Sequence, residues 1–140
     1  MKRITLFLIL GIVALTAVAC GGAAEEAPQT ELVRESVIAE DSFDYTPGSI
    51  TVSEGANVTI ELVNEGSLEH SWVLMDSDID PVTATDEEAL NGITSGKVAG
   101  GESSRFSFEA PAAGSYQFVC TIPGHAAGGM VGTFTVEASE

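Results

Sequence analysis

Four side chains in this sequence have the chemistry to grip a soft metal ion. His70 stands alone upstream. Cys120, His125 and Met130 fall in one short stretch, Cys120-Thr121-Ile122-Pro123-Gly124-His125-Ala126-Ala127-Gly128-Gly129-Met130. A thiolate, two imidazoles and a thioether suit a single copper ion, with nitrogen and thiolate in a trigonal plane and a weak axial Met. The spacing fits that geometry: Cys120 ends an apolar strand, a loop carries His125, and Met130 opens the next strand. One loop then supplies three donors, and His70 must be brought to it by the fold. Taken singly, each residue has a plainer reading: a small buried thiol, a loop histidine, a core methionine. The conjunction carries the argument, because His70 and His125 are the only two histidines in the chain. Zinc is the rival metal. Structural zinc asks for four Cys or His ligands. Here only three such residues are available, and a thioether suits copper better.

The elements that must position these donors read as strands. Val58, Ile60 and Leu62 alternate with Thr59 and Glu61, a half-buried period of two. Phe43 and Tyr45 alternate ahead of the turn Thr46-Pro47-Gly48, and Ile50 and Val52 follow. His70-Ser71-Trp72-Val73-Leu74-Met75 is apolar on both faces, as a central strand is. Phe106 and Phe108 alternate with Arg105 and Ser107. Tyr116, Phe118 and Cys120 share one face, so the sulfur points where the aromatics point. Phe134 and Val136 close the series. Seven to eight short strands separated by Gly/Pro turns predict an all-β sandwich or barrel. One stretch departs from this. Asp76 to about Ser95 includes Thr85-Asp86-Glu87-Glu88-Ala89-Leu90-Asn91-Gly92. A Thr cap, an acidic first turn and an Asn-Gly stop predict a short helical insertion outside the sandwich. It is either an acidic docking face or a solvated connection.

Charge and cysteine usage bound the partners. The chain carries 21 acidic residues against 5 basic ones, a net charge of −16. Phosphate repels such a surface, so no nucleic acid is expected as partner. A cationic protein steered in by the field is compatible with it, and so is acidity that merely keeps an exported protein soluble. Residues 1–19 read as a signal peptide: Lys2 and Arg3, an apolar Ile4–Ala19, then Ala17-Val18-Ala19 before Cys20. The stretch resembles a bacterial lipoprotein signal, which would make Cys20 the lipidated N-terminus. Ala17 stands where Leu is usual, and Ala-x-Ala also suits ordinary signal peptidase. Residues 20–31 read as a flexible tether, and residues 32–140 as the folded domain. These features predict an exported protein anchored to a membrane through an N-terminal lipid, facing the periplasm or the cell exterior. Cys120 would then have no disulfide partner; a bridge to Cys20 would abolish the metal site.

From about Phe43 to Val136 the chain resembles the small blue copper proteins, the cupredoxins. The resemblance rests on Tyr116-Gln117-Phe118-Val119-Cys120-Thr121-Ile122-Pro123-Gly124-His125 with Gly129-Met130-Val131-Gly132-Thr133, and on Glu69-His70-Ser71-Trp72-Val73-Leu74. The two gaps of four residues, Cys to His and His to Met, are most like auracyanin and also similar to sulfocyanin. Plastocyanin has a shorter Cys-to-His gap and azurin a shorter His-to-Met gap. The resemblance implies a Greek-key fold and one copper ion in a type 1 site, with His70, Cys120 and His125 as strong ligands and Met130 axial. It implies single-electron exchange with redox protein partners, such as a cationic cytochrome or a membrane electron-transport complex. Copper storage or delivery is the alternative, and no enzyme is expected. Two further expectations follow. An apolar collar of Pro123, Ala126, Ala127 and Met130 should surround an exposed edge of His125. Ser71 stands where much of the family has an Asn that ties the two ligand segments together, so a shorter link is expected to shift the redox potential or the rigidity of the site slightly.

Overall fold

Alternation is cleanest in Asn57–Asn64 (β4), where Val58, Ile60 and Leu62 are fully buried and the intervening residues are not. The computed structural model describes residues 30–139. The expected signal peptide, Cys20 and nearly all of the tether therefore lie outside the described residues. The other strands are Leu32–Ala39 (β1), Tyr45–Thr46 (β2), Ser49–Ser53 (β3), His70–Asp76 (β5), Thr94–Val98 (β6), Ser103–Glu109 (β7), Gly114–Val119 (β8) and Val131–Glu137 (β9). They form two sheets, β2-β1-β4-β7 and β3-β9-β8-β5-β6. The chain is the expected all-β sandwich. β1 runs parallel to β4 and β3 parallel to β9, while the remaining pairs are antiparallel.

Trp72 is the centre of the core. It is fully buried and stacks on Phe118, with ring centroids 5.1 Å apart and planes 18° from parallel. Phe134 meets it edge-on at 6.3 Å. Aromatic pairs at such separations add about 0.5–1.5 kcal/mol beyond their area burial. Every residue of β5 except Asp76 is buried. Trp72 and Leu74 face the space between the sheets, whereas Val73 and Met75 join Val119 and Ala84 in a second cluster beneath the 77–93 segment. That segment explains why β5 is apolar on both faces: it covers the outer side of its own sheet.

Three expectations are corrected here. The strands number nine among the described residues rather than seven to eight. β6 was hidden because Val98 is its one fully buried residue; a polar edge strand with Gly96 and Lys97 carries little alternation to read. The insertion is two 3-10 turns, Asp86–Glu88 and Leu90–Gly92, rather than one short helix. The Thr85 capping box forms as the sequence suggests, with Glu88 accepting from the Thr85 N–H at 2.6 Å. Ala89 then turns extended and Asn91 takes φ 52°, so the helix cannot propagate. A single turn with no buried residue has little to offset the cost of helix nucleation. Finally, Phe43 is not in a strand. It sits in the turn between β1 and β2 with φ 63°.

Candidate metal centre

β8 ends where β5 and β9 begin, since β8 runs antiparallel to both. That topology gathers the end of one strand and the starts of two others at one edge. His70 is the first residue of β5, and the loop leading to it is pinned. The buried Asn64 side chain donates to the carbonyls of Leu68 (2.7 Å) and Val98 (2.9 Å) and accepts from the Gly66 N–H (3.0 Å). Asp41 accepts from the N–H groups of Ser67 and Leu68 and from the Ser67 hydroxyl.

Cys120 follows β8, and its N–H donates to the Met130 carbonyl at 3.2 Å. Pro123 and Gly124 turn the chain, and the Met130 N–H reaches the His125 carbonyl at 3.1 Å. Gly129 has φ 113°, which favours glycine over any residue with a side chain. A Cβ on Gly128 would lie 2.5 Å from the Phe43 ring. The loop therefore closes on itself through backbone bonds and needs a bare position beneath Phe43.

The donor atoms converge. His70 Nδ1 and His125 Nδ1 are 3.2 Å apart, and His125 Nδ1 is 3.5 Å from Cys120 Sγ. All three ligand atoms lie within 4.8 Å of one another, the one such cluster of three or more among the described residues. His70 and Met130 are fully buried, Cys120 is 1 % exposed, and His125 is 7 % exposed. Cys120 is unbridged among the described residues. The Ser71 N–H points at the sulfur from 3.4 Å. Burial, and then the neighbouring His70, push the His125 pKa down against a smaller opposing pull from Asp41. A neutral imidazole keeps a lone pair available for a metal at neutral pH. Three soft or borderline donors, dry and facing a common point, fit copper. A fully buried thioether beside them matches the same ion and suits zinc poorly.

Ser71 does tie the ligand segments together. Its hydroxyl accepts the Thr121 N–H at 2.9 Å and pairs with the Thr121 hydroxyl at 3.0 Å, which in turn donates to Asp86 of the insertion. Residues not singled out by sequence also border the site. Tyr45 is buried, its hydroxyl donates to the Ser71 carbonyl, and burial first of all pushes its pKa up. The Phe43 ring lies 4.5 Å from that of His125. Asp41 Oδ1 comes within 3.4 Å of His70 Nε2. The expected collar is corrected in one member: Pro123 and Ala127 are exposed and Ala126 is half-buried, but Met130 is wholly buried and contributes no surface. Beside it a groove of about 220 Å³ runs between the loop and the insertion, lined by Pro81, Val82, Ala84, Ile122, Pro123 and Ala126 among others.

A two-sheet sandwich with a His-Cys-His-Met cluster at one edge defines a type 1 blue copper protein. Residues 33–137 match the copper-binding proteins of the plastocyanin/azurin family, and the chain belongs to that family. Its members are electron carriers, not enzymes. Auracyanin-B from Chloroflexus aurantiacus is 31% identical over 115 residues, covering 70% of this chain and 49% of the relative. The copper-resistant cuproprotein CopI from Rubrivivax gelatinosus is 32% identical over 105 residues, covering 71% and 64% respectively. The chain thus spans about half to two thirds of the length of these relatives. The crystal structure of dithionite-reduced auracyanin from Roseiflexus castenholzii superposes with a TM-score of 0.65 at 28% identity, covering 78% of this chain and 98% of that one.

Proposed function

We propose that this chain is an exported, membrane-tethered carrier of single electrons, with His70, Cys120 and His125 as the strong copper ligands and Met130 as the axial one. The carrying observation is the convergence of two imidazole nitrogens and a thiol sulfur within 4.8 Å inside a nearly dry site. Bound copper would supply a one-electron Cu(II)/Cu(I) couple; the rest is done by the chain. Strand β5 and the closed 120–130 loop hold the donors so that little need move between oxidation states. Phe118 and Phe134 keep water out from the core side. His125, the one ligand with an exposed edge, lies beside the surface of Pro123, Ala126 and Ala127 and gives a partner the nearest approach. The chain's net charge of −16 steers a cationic partner, such as a cytochrome or a membrane electron-transport complex, and weak redox encounters use small interfaces.

Adding Cu(II) to metal-free protein should produce an intense blue absorption and a reversible one-electron wave in voltammetry. A solution that stays colourless overturns the reading. Exchange with a cationic partner should slow as salt rises, since screening weakens steering. Anchoring rests on the leader pattern and is tested separately: Cys20→Ala should release the protein from membranes, and intact mass should show acyl chains on Cys20.

A second reading, copper storage or delivery, is favoured by the similarity to a relative named for copper resistance. The burial of every ligand argues against it, because delivery needs donors open to exchange. Transfer of bound copper to a competing chelator within seconds would favour delivery; retention over hours favours the carrier.

A further inference from the structure

His70 Nε2 is buried and has no hydrogen-bond partner. The nearest charge to it is Asp41 Oδ1, 3.4 Å away. The surrounding chain is built to keep the carboxylate in that place. Ser67 N–H donates to both oxygens at 3.0 and 2.9 Å, the Ser67 hydroxyl donates at 2.6 Å, and Leu68 N–H donates at 3.0 Å. A Cβ on Gly66 would overlap Asp41 Oδ1 at 2.2 Å, so the position is bare where the carboxylate lies. The same turn carries Phe43, whose ring lies against His125. One turn outside both ligand segments thus touches both imidazoles.

We propose that Asp41 is a positioning residue of the metal centre: it holds the His70 proton on Nε2, presents the Nδ1 lone pair to Cys120 and His125, and biases the site toward the oxidised ion. The proposal rests on the copper reading above. An imidazole facing a carboxylate at one nitrogen keeps its proton there, which fixes the tautomer and raises the basicity of the other nitrogen as a ligand. A negative charge next to a ligand stabilises Cu(II) over Cu(I), so removing it should make reduction easier.

The test uses Asp41→Asn in the full chain. The amide oxygen can still accept from the Ser67 and Leu68 N–H groups, so two of the four bonds that hold the turn are kept while the charge is lost. In copper-loaded protein the preference for Cu(I) should rise about three- to tenfold, and a tenfold change is about 59 mV for a one-electron couple. In metal-free protein, nitrogen NMR should show His70 moving from the Nε2–H tautomer toward a mixture. Glu54→Gln, in the turn between β3 and β4, serves as the control for net charge alone. A potential and tautomer unchanged in Asp41→Asn, or a potential shift no larger than that of Glu54→Gln, overturns the proposal. If Asp41→Asn does not fold, Asp41→Ser is read the same way. Wild-type protein that never turns blue overturns the copper reading and this proposal together; blue protein with an indifferent Asp41→Asn overturns this proposal alone.

Discussion

His70 and the 120–130 loop reach the same point by opposite means. His70 begins a strand in which six residues in succession are buried, and it is itself fully buried. Its approach is fixed by Asn64 at the end of the preceding strand and by Asp41, which is distant in sequence. The loop brings three donors from one short segment, closed by local bonds such as Cys120 N–H to the Met130 carbonyl and Met130 N–H to the His125 carbonyl. Closing a short loop costs little chain entropy, and the cost grows only slowly with length. His70, by contrast, meets its partners only when β5 and β8 pair. The rigid arm therefore sets where the site is, and the local arm sets how it meets solvent. His125 retains 7 % exposure, and it is the loop arm that faces outward.

Removing each imidazole breaks this comparison most directly. His70→Gly and His125→Gly should both abolish the blue absorption of Cu(II)-loaded protein. Added imidazole should restore it in His125→Gly, where the vacated space opens to solvent, and leave His70→Gly colourless. Equal rescue of both variants would show that the two arms are equally accessible.

Backbone crowding separates the arms next. A Cβ on Gly132 would lie 2.0 Å from the Phe118 ring, which is fully buried and stacked on Trp72. A Cβ on Gly128 would lie 2.5 Å from the Phe43 ring, which is only partly buried and can swing outward. Overpacking a tight core costs about 1–3 kcal/mol. Gly132→Ala should lower stability in denaturant titration by about that much, and Gly128→Ala by under about 1 kcal/mol. In Gly128→Ala the displaced Phe43 should also expose His125, which faster loss of copper to a chelator would report.

The loop arm is legible in the sequence almost entirely. Cys, His and Met are scarce, their spacing is local, and the flanking strands announce themselves through Phe118, Phe134 and Val136. Ser71 is legible as a link because it neighbours a ligand. The turn between β1 and β2 is not. Asp41 and Phe43 resemble any charged or apolar turn residue until the fold sets them against His70 and His125, and Phe43 even mimics strand alternation with Tyr45. β6 is missed for a related reason: an edge strand with one fully buried residue leaves no periodic trace. What sequence conceals here is long-range contact made by residues of ordinary type.

Acid should separate the two arms by pH, with the smallest effects of the series. In metal-free protein burial lowers the His125 pKa. The unfolded chain then takes up this proton before the folded one, so stability from the loop arm is complete above about pH 6.5, the ordinary histidine value, and declines below it. Asp41 behaves in the same sense at lower pH. The Ser67 hydroxyl, then the Leu68 and Ser67 N–H groups, hold its carboxyl well below the usual aspartate range. Its contribution is complete above about pH 4 and is lost as pH falls toward the folded value. The carboxylate is partly exposed, so solvent screening keeps the effect modest. Denaturant midpoints measured from pH 7.5 down to about pH 3 should therefore fall in two stages. His125→Gln should flatten the first stage and leave the second, while Asp41→Asn should do the reverse. If either substitution flattens both, the two imidazoles are supported by one coupled unit rather than by two independent arms.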